Sequence, residues 1–118
     1  MYLNGTNNKW IIMAIPDKQH GIKIPKQKIK AYCKKKHIKK LAFYGSFLRD
    51  DFHYDSDIDI LIEFERGYTP GFFDLVKMEE KLSSFFKGRE VDLRTPNDLS
   101  RYFRKKVIQN AEVLYAGS

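Results

Sequence analysis

The eight residues Asp57-Ile58-Asp59-Ile60-Leu61-Ile62-Glu63-Phe64 decide the fold. Isoleucine at 58, 60 and 62 and leucine at 61 give this stretch the β-branched enrichment of a strand. On a strand, residues two apart leave the same side, so Asp57 and Asp59 share one face while Ile58 and Ile60 enter a core. Two ionised carboxylates held side by side repel. A folded chain tolerates them when a cation sits between them or when one takes up a proton. Hard oxygen donors favour Mg²⁺ or Mn²⁺, and Mg²⁺ characteristically takes one or two carboxylates together with substrate phosphates. A bare Asp-x-Asp is equally the polar outer face of an ordinary strand, so the pair needs support from elsewhere in the chain.

The first support lies just upstream. Ile38 to Tyr44 (IKKLAFY) reads as a buried strand stopped by Gly45, and Ser46 to Asp50 as a short helix opening directly after it. At such a junction free backbone N–H groups and the helix dipole attract phosphate. Gly45 lets a triphosphate approach the backbone, and Ser46 can cap the helix or donate its hydroxyl to a phosphate oxygen. Arg49, one turn along, is placed to reach a phosphate or a carboxylate. The second support lies downstream in Glu90 to Arg94 (EVDLR), a short strand on which Asp92 points opposite to Val91 and Leu93. If that strand neighbours the first, Asp92 joins the face of Asp57 and Asp59.

The remaining segments complete the pattern. Met1 to Gly21 reads as an N-terminal extension with a short strand at Trp10–Ile15, and residues 22 to 118 as one domain. Ile24-Pro25 opens a helix whose apolar stripe is Ile29, Tyr32 and Cys33. Gly67 to Gly71 is a loop. Phe72, Leu75, Val76, Glu79, Leu82, Phe85 and Phe86 mark a helix of about four turns, stopped by Gly88. Thr95-Pro96-Asn97-Asp98 caps another helix, with Leu99, Tyr102, Phe103, Val107 and Asn110 on its inner side. Val113-Leu114-Tyr115 closes the chain as an extended segment. The order predicts an α/β (α+β) fold: a small mixed sheet with helices on one face and the other face left partly open for a ligand.

Taken together, a strand, Gly45-Ser46-Phe47-Leu48-Arg49, the strand Ser56-Asp57-Ile58-Asp59-Ile60-Leu61-Ile62 and the later Val91-Asp92-Leu93 resemble the DNA polymerase β-like nucleotidyltransferase superfamily. The likeness is closest to the minimal nucleotidyltransferase (MNT) proteins, the MntA-type antitoxins among them, and covers about residues 22 to 115. It implies the polymerase β-like fold, with Asp57, Asp59 and Asp92 as catalytic metal ligands for two Mg²⁺ ions and Gly45 and Ser46 holding the β- and γ-phosphates of ATP. Asp92 would lie nearer the attacking hydroxyl and help draw off its proton. The implied activity is transfer of a nucleoside monophosphate, commonly AMP, to a hydroxyl with release of pyrophosphate. The implied partner is a HEPN-domain toxin whose tyrosine is the acceptor, the chain being the antitoxin. One departure is visible: Asp50, not the glycine common in the family, follows Arg49. His53 in the next loop reads as a loop residue, not a ligand.

Composition bounds these readings. In 118 residues, 42% are hydrophobic and 14% aromatic, enough to build one core. The single cysteine, Cys33, excludes an internal disulfide framework and fits a reducing cytosol. No stretch approaches the roughly 20 apolar residues of a membrane span, and no signal peptide opens the chain, so a cytoplasmic protein is expected. The net charge of +7 is uneven: ten lysines and no acid between Lys18 and Lys40, then seven acids between Asp50 and Glu65. The basic block motivates a rival reading, an enzyme or binder directed at nucleic acid, although it lacks the interleaved aromatics of a single-strand platform. An enzyme modifying a small molecule such as an aminoglycoside is a further rival, less favoured because such family members usually carry an extra substrate domain. A contact-only antitoxin is the last. It has no use for three converging carboxylates.

Overall fold

The computed structural model describes residues 15 to 117. In chain order the elements are β1 (Lys18–Gln19), β2 (Ile22–Lys23), α1 (Lys26–Lys35), β3 (Ile38–Tyr44), a 3₁₀ turn (Gly45–Leu48) and β4 (Ile58–Phe64). There follow α2 (Phe72–Phe85), β5 (Val91–Arg94), a second 3₁₀ turn (Pro96–Asp98), α3 (Arg101–Asn110) and β6 (Glu112–Ala116). The four long strands form one sheet in the order β5-β4-β3-β6. β3 runs antiparallel to β4 and β6, while β4 and β5 run parallel, so the sheet is mixed as the element order predicts. The parallel pair needs a crossover, and α2 supplies it.

Alternation along β4 sorts the sheet into two faces. Ile58, Ile60 and Ile62 are fully buried and join Leu41 and Phe43 of β3 in the core. Ile29, Tyr32 and Cys33 of α1 and Met78 and Leu82 of α2, with Phe86 just beyond, complete that core from the helical side. The i, i+3, i+4 stripe of α1 is thus buried as its spacing predicts. Burial pushes the Cys33 thiol up to about 12, which makes it an inert core residue.

Three expectations need correction. The helix expected from Ser46 to Asp50 is a single 3₁₀ turn that ends at Leu48, and Arg49 is already extended (φ −116°, ψ 163°). Gly45 enters that turn with φ +71° and Phe47 drops into the core, a geometry too tight to run on as an α-helix. The helix expected from Thr95 is broken in two. The Thr95–Asp98 capping box forms, but Leu99 turns extended and Ser100 caps α3 afresh by accepting the Tyr102 N–H. Tyr102 and Phe103, expected on the inner side, are 82% and 64% exposed. Phe72 is likewise exposed at the open end of α2.

The strand expected at Trp10–Ile15 lies outside the described residues except for Ile15, which is buried in the core. The β1–β2 hairpin was not foreseen. It is tied down where Ile24 N–H donates to the Asp17 carbonyl (2.8 Å) and where Ile22 packs against the core.

Candidate active site

On the face opposite α1 and α2, the strand register aligns one residue from each of three neighbouring strands. Tyr44 of β3 pairs with Asp59 of β4, and Asp59 pairs with Asp92 of β5. Paired residues in a sheet point the same way, so Tyr44, Asp59 and Asp92 form a row across the open face. Asp57 stands two residues before Asp59, just ahead of β4, and is exposed. Of the three acids singled out in the sequence, the register sets Asp59 and Asp92 side by side, with Asp57 just outside the strand.

The row is electrostatically loaded. Asp59 is half-buried, and its carboxyl is held above the usual carboxylate range, first by burial and then by the charges of Asp92 and Asp57. The Arg94 guanidinium and a hydrogen bond from the Ser46 backbone N–H oppose the shift. Tyr44 feels the same field: burial, Asp59 and Asp92 push its hydroxyl up to about 12. It stays a neutral phenol.

Gly45 touches this row directly. A β-carbon at position 45 would collide with the Asp59 carboxylate, and its positive φ already disfavours any L side chain. The turn that carries Ser46 is therefore pressed against the acids. Arg49 is not aimed at them. Its Nε donates to Asp51 Oδ1 at 3.1 Å in an exposed pair. It does line, with Tyr44, Gly45, Leu48, Lys106, Val107, Asn110 and Glu112, a cavity of about 640 Å³ beside the turn.

Three residues escaped the sequence reading. Arg94 Nε lies 3.3 Å from both carboxylate oxygens of Asp92; its position two residues after Asp92 on the same strand face was the available signal. Glu79 accepts the Leu93 N–H at 2.9 Å and so pins β5 to α2. It was the lone acid in an apolar stripe. Arg89 donates to the carbonyls of Ser56 and His53 and stacks over Phe52 at 4.7 Å, bracing the loop ahead of Asp57. No spacing in the sequence announces that contact. His53 pairs with Asp55 in this loop, away from the row.

Whether these acids suit a divalent ion can be judged from their own chemistry. The donors are all carboxylate oxygens, and their mutual repulsion is the condition a bound cation relieves. Among the described residues no three His, Cys, Asp or Glu side chains already stand at metal-holding distance, and Arg94 is the cation that now faces Asp92. The donor set fits a hard ion.

With this geometry in place, comparison with known proteins fixes the class. Residues 27–118 match the family model described as "Polymerase beta, Nucleotidyltransferase". The chain belongs to the polymerase beta nucleotidyltransferase family. Relatives within it include proteins described as protein adenylyltransferases. A putative protein adenylyltransferase of Methanocaldococcus jannaschii is 33% identical over 73% of this chain and 89% of its own length. The protein adenylyltransferase MntA of Thermococcus cleftensis is 32% identical over 66% of this chain and 74% of its own. Among solved structures, a putative minimal nucleotidyltransferase superposes with a TM-score of 0.61 at 26% identity, covering 73% of this chain and 85% of that one. A toxin-antitoxin with AMP-PNP superposes with a TM-score of 0.64, covering 80% and 75%, and at 21% identity it attests the fold. Among the described residues no helix is long and apolar enough to cross a membrane.

Proposed function

We propose that this chain is an antitoxin that transfers AMP from ATP to a tyrosine hydroxyl of a HEPN-type toxin partner. The observation that carries the reading is the row of Asp59 and Asp92 on adjacent strands, with Gly45 pressed against Asp59 and Asp57 two residues away. Relatives described as protein adenylyltransferases support protein as the acceptor class. A neighbour described as a toxin-antitoxin with AMP-PNP, and another as MntA-HepT, support the nucleotide and the kind of partner.

In the reaction the acceptor oxygen bonds to the α-phosphorus of ATP as the bond from that phosphorus to its bridging oxygen breaks, and pyrophosphate leaves. The hydroxyl proton passes to the Asp92 carboxylate, which Arg94 orients by donating towards both of its oxygens. The Gly45-Ser46 turn receives the β- and γ-phosphates on its backbone, close approach being possible because position 45 has no side chain. Two Mg²⁺ ions, held by Asp57, Asp59 and Asp92, would supply neutralisation of the triphosphate and stabilisation of the attacking and leaving oxygens. The chain's own part is to hold three acids and the phosphate turn in fixed relation, so that little reorganisation is needed at the moment of transfer.

The test is transfer of label from α-³²P-ATP to the partner toxin in the presence of Mg²⁺. Asp57→Ala combined with Asp59→Ala should lower the rate by about 10²–10³ or more, a loss of the size seen when a key stabilising group is removed, while the double variant keeps its fold by circular dichroism. Wild-type rates in that variant would overturn the site. Toxin binding and silencing without any transferred label would favour the contact-only antitoxin.

A further inference from the structure

The hairpin β1–β2 precedes the family match, which begins at residue 27, and yet it grips the candidate phosphate turn. Its two-residue connection, His20-Gly21, has φ of +55° and +74°. Positive φ at both central residues is what a tight type I′ hairpin turn requires, and asparagine-glycine is the pair that meets it at least cost. Histidine at the first position accepts some backbone strain in order to present a ring.

That ring, although His20 is exposed to solvent, meets both Phe47 and Phe52. His20 Nε2 lies 2.8 Å from the Phe47 carbonyl oxygen, and the imidazole stacks on Phe52 at 4.6 Å and 20°. It also meets the Phe47 ring edge-on at 5.7 Å. Gln19 Nε2 donates to the same Phe47 carbonyl at 3.1 Å. One carbonyl oxygen therefore has two side-chain partners, both from the hairpin, 27 and 28 residues away. Phe47 follows Ser46 in a 3₁₀ turn of four residues, a conformation whose own hydrogen bonds are weak.

We infer that the hairpin is a brace for the phosphate turn, with His20 and Gln19 as positioning residues that fix the Ser46–Leu48 peptides before nucleotide arrives. The inference rests on the nucleotidyltransferase reading and adds to it a regulator of nucleotide affinity outside the family-matched segment. Neither side chain contacts the acid row; each acts through the Phe47 carbonyl.

The test uses the full chain with His20→Asn and Gln19→Leu, singly and together. Asparagine suits the turn better than histidine, so the hairpin persists while the stack and the ring donor are lost. Two readouts are needed. In nucleotide-free protein, amide hydrogen exchange at residues 45–49 should quicken about tenfold in the double variant, with exchange in α1 and α2 unchanged. Kd for Mg-ATP, by titration calorimetry, should rise about 3–10-fold, the scale of losing a net hydrogen bond, and KM should rise more than kcat falls. His20→Gln, which restores an N–H donor without a ring, should recover part of the loss. Exchange at 45–49 within twofold of wild type would overturn the brace. Quickened exchange with unchanged Kd and KM would overturn its role in nucleotide binding. A wild-type chain that binds no ATP would instead overturn the nucleotidyltransferase reading and this role with it, leaving the exchange result to judge the brace as a structural element.

Discussion

The two faces of the sheet are built from the same strands by opposite rules. On the helical side, Ile58, Ile60 and Ile62 of β4 have no solvent exposure and are packed by α1 and α2. On the other side, the residues between and before them include Asp59 and Asp57, half-buried and exposed, charged, and repelling one another and Asp92. The helical face lowers the free energy of the fold; on the other, the buried pair Ala42 and Leu61 helps while the acids raise it and keep the chemistry. A period of two lets a single strand of seven residues serve both.

Three measurements would break or sharpen that contrast. Leu82→Ala removes a fully buried side chain from the helical face. It should cost about 2–5 kcal/mol, as leucine-to-alanine changes in cores do. Urea unfolding should show that cost. At the boundary between the faces, Gly45→Ala forces an L residue into φ +71° and a β-carbon into the Asp59 carboxylate. It should destabilise by roughly 1–2 kcal/mol and abolish transfer together. Stability lost with transfer retained would separate the turn from the site.

The smallest effect has the opposite sign. Asp59→Asn removes a charge that burial and two like neighbours disfavour, so Tm near neutral pH should rise slightly as transfer is lost. The sign follows from the raised folded-state affinity for protons. Between its ordinary unfolded value and the higher folded one, the native state holds more protons than the unfolded state. Stability therefore falls as pH rises through that window, and the cost is fully present above it. In the Asn variant this part of the acid-range slope should vanish. An Asp59→Asn protein less stable than wild type at pH 7 would mean that the Asp59 carboxylate supports the fold after all.

Much of the fold was legible because the decisive elements are strongly periodic or strongly punctuated. The stripe Ile29-Tyr32-Cys33, the run Ile58 to Ile62 and the stop at Gly45 each point to one structure. The acid row was legible in part. Same-side geometry of Asp57 and Asp59 follows from residue spacing, but the level of Asp92 beside Asp59 depends on parallel register, which a sequence does not state. The misread pieces were those where tertiary contact overrides local signal. The Thr95–Asp98 box is a sound cap that closes only three residues before Ser100 restarts the helix. Tyr102 and Phe103 have helical spacing yet no core beneath them. The hairpin was missed because its signal, Gln19-His20-Gly21-Ile22, is too short to show alternation, and its value lies in contacts made nearly thirty residues away.

The crossover through α2 has a consequence for the order of events during synthesis. Asp59 emerges from the ribosome 33 residues before Asp92, and the acids become neighbours only when β5 docks along β4. Until then a growing chain holds Tyr44 and Asp59 of the row, with no second carboxylate from β5 facing Asp59. The fold thus builds in a delay: the row is completed only when β5 docks, before α3 and the closing β6 pairing with β3 follow.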